Sequence, residues 1–152
     1  MIESNGDALT YTKDRHFRRK RSQKKTISLG SPIKEVVHGS EMFGLIADDG
    51  SFRAIKSNGR TIRNVRPSSV ADKVTGASMT KAAYVFLKAD GFAKSGGLDI
   101  SGGQLDKSGE TISGYDMSEL MGGSVVDIVS ADNAFVAVLD GFLPEFQLIK
   151  ET

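Results

Sequence analysis

Asp-Gly dipeptides punctuate this chain at Asp49-Gly50, Asp90-Gly91 and Asp140-Gly141, each within three residues of the end of a short apolar run. Glycine accepts the positive φ that tight hairpin turns demand, and aspartate bonds its own backbone there. The runs that enter these turns are Phe43-Gly44-Leu45-Ile46-Ala47, Tyr84-Val85-Phe86-Leu87 and Phe135-Val136-Ala137-Val138-Leu139. Behind the first turn, Ser51-Phe52-Arg53-Ala54-Ile55 reads as a return strand of uncertain inward face, and Asn58-Gly59 marks a further turn. Short apolar runs bounded by turn residues are strands. The expected fold class is all-β, or β-dominated with one or two short helices around residues 77–89 and 116–121. Its hairpins stack into a sandwich or a partial propeller-like sheet.

The turns belong to a degenerate repeat. One unit is Ile33-Lys34-Glu35-Val36-Val37, then Phe43, then Asp49-Gly50. A second aligns Val70-Ala71-Asp72-Lys73-Val74 with Tyr84 and Asp90-Gly91, and a third aligns Val125-Val126-Asp127-Ile128-Val129 with Phe135 and Asp140-Gly141. From the aromatic residue to the turn Asp the spacing is six, six and five; from the last Val to the aromatic it is six, ten and six, which reads as an insertion in the middle unit. A single hairpin cannot bury its apolar face, so units of this kind must stack. The pattern, carried by Val37, Phe43, Leu45, Asp49 and Gly50 and again by Val129, Phe135, Val138, Asp140 and Gly141, resembles the repeat of the regulator-of-chromosome-condensation family. That resemblance implies β-propeller blades over residues 33–60, 70–97 and 125–146. The family's His-Thr after the first strand and its Trp-Gly at the hairpin end are absent, so none of its functional residues carries over. Three units are also fewer than the four or so that usually close a propeller.

Charge is segregated along the 152 residues. Residues 1–94 hold 18 Lys/Arg against 9 Asp/Glu, and residues 95–152 hold 2 against 10. A first basic cluster comprises Lys13, Arg15, Arg18, Arg19, Lys20, Arg21, Lys24 and Lys25; a second comprises Arg53, Lys56, Arg60, Arg63 and Arg66. Such clusters contact nucleic acid or acidic protein surfaces, or are simply solvated. Residues 1–32, sparse in apolar side chains, read as an extended basic arm ahead of a single β-rich domain, 33–152.

Catalytic and metal signals are weak. Ser78-Met79-Thr80-Lys81 is similar to the Ser-x-x-Lys form of penicillin-binding proteins, and Lys107-Ser108-Gly109 to their Lys-Thr-Gly element. There the Lys lies one helical turn beyond a nucleophilic Ser. The Ser-x-Asn element that should lie between them is missing, and an exposed polar insertion is the plainer reading. His16 and His38, with no Cys, do not make a zinc site. Asp48, Asp49, Asp99, Asp106, Glu110 and Asp116 follow turn chemistry rather than an EF-hand spacing. Gly96-Gly97 and Gly102-Gly103 read as sharp turns or bulges, not a phosphate loop. No enzyme activity, cofactor or metal is expected.

No apolar run approaches the roughly 20 residues that span a bilayer, and the first residues lack the basic start and apolar stretch of a signal peptide. The expected setting is a virion or the cytoplasm. The expected function is non-enzymatic: a structural protein of a large assembly, such as a coat, decoration or tail part of a virion. Its partners would be other protein subunits, of its own kind or another. Arg15, Arg18, Arg19, Lys20, Arg21, Lys24, Lys25, Arg60 and Arg63 would dock on a neighbour, with Phe92, Phe142, Phe146 and Leu148 as apolar anchors. The alternative is a nucleic-acid-binding module whose basic arm contacts phosphates. Asp49, Gly50, Asp90, Gly91, Asp140 and Gly141 are the structural turns.

Overall fold

The computed structural model describes residues 1–13, 22–97, 115–116 and 125–140. Among them there is no helix. A hairpin comes first, β1 (Ala8–Lys13) and β2 (Ser22–Ile27). A four-stranded antiparallel meander follows: β3 (Ile33–His38), β4 (Met42–Ala47), β5 (Phe52–Lys56) and β6 (Thr61–Val65). A second meander comprises β7 (Val74–Met79), β8 (Ala83–Lys88), β9 (Ala93–Gly97) and β10 (Tyr115–Asp116). The last hairpin is β11 (Val125–Ser130) with β12 (Phe135–Leu139).

The two meanders are blades in one register. β3 and β7, β4 and β8, and β5 and β9 each begin 41 residues apart. The middle unit therefore has no insertion ahead of its aromatic: its first strand is Val74–Met79, and Val70-Ala71-Asp72-Lys73 is the link that leads into it. The same β-bulge recurs in each first strand, between Ile33 and Glu35, Val74 and Gly76, and Val125 and Asp127. The helix expected over 77–89 is replaced by β7 and β8, because Tyr84, Val85, Phe86 and Leu87 face alternately in two directions with a period of two. Of the other expected helix, Asp116 lies in β10 and 117–121 lie outside the described residues.

The first hairpin continues the series. The turns at Asp49-Gly50, Asn58-Gly59 and Asp90-Gly91 share one build: the Asx side chain accepts the N–H two residues on, and the glycine takes a φ of 79–85°. Asn5-Gly6 repeats it, with Asn5 Oδ1 accepting from the Asp7 N–H and a φ of 84° at Gly6. The bridge Ile2–Ala8 then corresponds to the rung Ile46–Phe52. So β1 and β2 are the third and fourth strands of a blade, and β11 and β12 are the first and second strands of another. The extended arm expected over 1–32 is thus, where described, an antiparallel hairpin. Ala8, Leu9, Ile27 and Leu29 are buried in it despite their sparse spacing.

Three core layers lie between the four units. Ala8, Ile27 and Leu29 pack with Ile33, Leu45, Ala47 and Ile55. Met42, Ile46, Phe52 and Ala54 pack with Val74, Met79, Tyr84 and Phe86. Val85 and Ala93 pack with Val125, flanked by Ile128, Phe135 and Ala137. The inward face of β5 is therefore both faces: plain period-two alternation puts Phe52 and Ala54 in one layer and Ile55 in the other. The middle layer centres on Phe52, whose ring lies 5.1 Å from Phe86 and 6.0 Å from Tyr84. Gly96 lies inside β9, and a Cβ there would strike the Tyr84 ring.

The link before β7 is tied down by charge. Lys88 Nζ lies 2.9 Å from Asp72 and 3.1 Å from Asp90. Ser68 Oγ and Ser69 Oγ both donate to Asp72, and with Lys88 they hold its carboxyl well below the usual carboxylate range. A depressed folded-state pKa contributes stability at neutral pH that is lost as pH falls through the acid range. Asp72→Asn should therefore flatten the acid limb of the melting temperature against pH, measured by circular dichroism between neutrality and strong acid. Gly50→Ala should destabilise by about 1–3 kcal/mol in urea unfolding, since the left-handed φ penalises any Cβ and that Cβ would also press on Lys73.

Candidate interaction surface

Strand β2 and the Asn58-Gly59 turn bring the two basic clusters of the sequence together. Lys24 and Lys25 are exposed on β2, opposite Tyr11 and Thr10 of β1. Lys25 Nζ donates to the Gly59 carbonyl at 2.9 Å, and its Cδ lies 3.1 Å from where a Gly59 Cβ would stand. Arg60 follows, exposed. Arg53 anchors the same region, donating from a terminal guanidinium nitrogen to the Ser28 carbonyl at 3.1 Å and from Nε to Asn64 at 3.4 Å. This surface joins the first hairpin to the first blade.

Arg63 does not join the exposed set. It is half-buried, and its Nε is buried without a hydrogen-bond partner. Burial pushes the Tyr84 hydroxyl above its ordinary pKa, against the pull of the Arg63 charge. Arg15, Arg18, Arg19, Lys20 and Arg21 lie outside the described residues, as do Gly141, Phe142, Phe146 and Leu148. Phe92 is partly exposed beneath Lys88, whose Nζ is 5.9 Å from the ring centroid.

The opposite end of the stack is acidic and apolar. Residues 125–140 contain Asp127, Asp132 and Asp140 and no Lys or Arg. One side of the β11–β12 hairpin, with Val125, Phe135 and Ala137, packs on the second blade. Val129, Val136 and Val138 are exposed, Val136 at 64%. In the complete blades the positions of Val136 and Val138 are held by Gly44 and Ile46, and by Val85 and Leu87. Those residues pack between units. At the other end, a cavity of about 230 Å³ opens beside β1, lined among others by Ala8, Thr10, Val36, Phe43, Leu45 and Ile55. The sequence reading missed this end because too few apolar residues flank its turn, Asn5-Gly6, to mark strands.

Ser78 and Lys81 are not arranged for catalysis by the Ser-x-x-Lys scheme. Ser78 sits within β7 opposite Val85, and Lys81 lies beyond the strand, with Nζ 3.6 Å from Glu41. No helical turn relates them. His38 is exposed at the end of β3. Among the described residues no three His, Asp or Glu side chains converge as a metal site, and no helix is long and apolar enough to cross a membrane.

The fold is that of β-propellers of the regulator-of-chromosome-condensation kind. The crystal structure of human WBSCR16 superposes with a TM-score of 0.66 at 11% identity, over 93% of this chain and 42% of that one. Yeast RCC1 (Prp20), in its crystal structure bound to Kap60, gives 0.63 at 11% identity, over 99% and 42%. Prp20p from Saccharomyces cerevisiae, in a structure titled for its binding properties to Gsp1p and histones, gives 0.59 at 10%, over 87% and 37%. The chain thus spans about two fifths of the length of these propellers. No family model matches the sequence, nor does any curated protein.

The burial contrast gives a direct test. Phe86→Ala, in the packed middle layer, should cost about 3–5 kcal/mol. Val136→Ala should cost no more than about 0.5 kcal/mol. Urea denaturation of the two variants checks the pair.

Proposed function

We propose that this chain is a non-enzymatic assembly protein that works through protein–protein contacts, docking its basic surface on an acidic neighbouring subunit. The observation that carries this reading is the union of Lys24 and Lys25 with the Gly59-Arg60 turn, two segments 34 residues apart joined by the Lys25–Gly59 bond. A like-charged surface gathered from separate segments steers association and selects an oppositely charged partner. The acidic, apolar β11–β12 end provides such a surface on another copy. The structurally similar yeast RCC1 is bound to Kap60 in its crystal structure, which lends the reading the support of fold analogy. A virion is one setting for such an assembly.

Light scattering at low and high salt tests the proposal. The chain should run larger than a monomer at low salt and shrink as salt rises, and the triple variant Lys24→Glu, Lys25→Glu, Arg60→Glu should remain monomeric at low salt. A monomer at every salt and concentration overturns self-docking. Tight, salt-sensitive binding of a labelled oligonucleotide, lost in the same variant without change of oligomeric state, would instead establish the phosphate-binding alternative.

A further inference from the structure

We infer that the partner of the β11–β12 end is a second copy of this chain, whose β1–β2 hairpin pairs edge to edge with β12 to complete one blade. This rests on the assembly reading above and adds to it a specific contact. The argument starts from strand identity. β1 and β2 are the outer two strands of a blade and β11 and β12 the inner two, so the two hairpins are complementary halves of one unit. Within the complete blades the inner half joins the outer half by pairing β4 with β5 and β8 with β9. Among the described residues, no strand pairs with the free edge of β12.

Register follows from the repeat. The rung Gly44–Ala54 becomes Val136 opposite Thr10, and Ile46–Phe52 becomes Val138 opposite Ala8. In that register Val136 and Val138 turn toward the face on which Ala8 already packs. Val136 would enter the cavity of about 230 Å³ beside Ala8, Thr10, Phe43 and Leu45, which Met1 also lines, and Val138 would take the place opposite Ala8 that the chain's own Ile2 now holds. Exposed valines at one end thus match an apolar vacancy at the other. Met1 and Ile2 hold part of the β1 edge through the Ile2–Ala8 bridge and the bond from the Leu9 N–H to the Met1 carbonyl. Met1 is 81% and Ile2 42% exposed, and β12 would displace them by taking over their backbone bonds to β1. Charge favours the same pairing, because β1 and β2 carry Lys13, Lys24 and Lys25 and no acid, whereas residues 125–140 carry only acids. The described strands of two copies joined in this way at both ends would make about six blades, inside the range of roughly four to eight that closes a propeller.

The chain has no Cys, which makes disulfide trapping specific. A Thr10→Cys copy and a Val136→Cys copy, mixed and mildly oxidised, should give a mixed disulfide in high yield, since cross-strand partners lie within disulfide reach. Thr10→Cys alone should give only background dimer. Val136→Asp with Val138→Asp, both at exposed positions, should keep the circular dichroism spectrum and weaken self-association at least about tenfold. If the chain associates with salt sensitivity but no mixed disulfide forms, edge pairing is overturned and the assembly reading survives. A disulfide formed within a monomeric Thr10→Cys, Val136→Cys double variant also overturns the second copy as occupant. A chain that stays monomeric throughout overturns both.

Discussion

One backbone hydrogen bond, repeated, sets the spacing of the whole stack. The N–H at the start of each first strand donates to the carbonyl of the preceding unit's turn glycine: Ile33 to Gly6, Val74 to Gly50 and Val125 to Gly91, at 2.8–2.9 Å. The glycine conformation makes this possible. A left-handed φ turns the carbonyl outward, toward the incoming strand, and only glycine holds that φ without strain. Asn5, Asp49 and Asp90 fix the turn from the other side by accepting the N–H two residues on. The chemistry that ends one hairpin therefore also positions the next blade.

Stacking then decides which strands must be apolar. A second strand such as β4 is covered on both faces, so Met42 and Ile46 point into one core layer while Leu45 and Ala47 point into the other. A sheet buried on both sides loses the polar–apolar alternation of a half-exposed one. Glycine enters where bulk leaves no room: a Cβ on Gly44 would meet Val37 Cγ2 at 2.7 Å and Phe52 Cε2 at 3.0 Å. Around β6 the polar side chains face solvent, with Arg60 and Asn64 both exposed.

These asymmetries explain what could be read from the residues and what could not. The doubly buried second strands, with their Asp-Gly turns, announce themselves as apolar runs, and the propeller-like repeat follows from them. First strands do not. β7 reads Val-Thr-Gly-Ala-Ser-Met, with a bulge after Val74, and its polar pattern hides it. Val70-Ala71-Asp72-Lys73-Val74 imitates Ile33-Lys34-Glu35-Val36-Val37 more closely, yet Val70 is 75% exposed and Asp72 is bound to Ser68, Ser69 and Lys88 in the link. The first hairpin was hidden by the same economy of apolar residues. Ala8, Leu9, Ile27 and Leu29 suffice because Ile33, Leu45 and Ile55 of the next blade supply the rest of that layer. The basic surface was legible as two clusters; their convergence needed the Lys25–Gly59 bond, and the inward turn of Arg63 follows from its place within β6.

In the proposed assembly, charge and burial would divide the work of recognition. Charges on an exposed surface attract over about a Debye length, roughly 8–10 Å at physiological salt, and each exposed pair is worth at most about 1 kcal/mol. Lys24, Lys25 and Arg60 can thus choose the sign of a partner and speed its arrival, but they hold it weakly. Backbone pairing along a free strand edge and burial of apolar side chains hold more strongly, yet they discriminate poorly among partners. An edge strand lined by Val136 and Val138 would be open to indiscriminate pairing if it stood alone. The acids Asp127, Asp132 and Asp140 around it oppose pairing between two such edges and favour a basic one. In the proposed pairing, the burial that would give affinity and the charge that would restrict it lie on the same few strands.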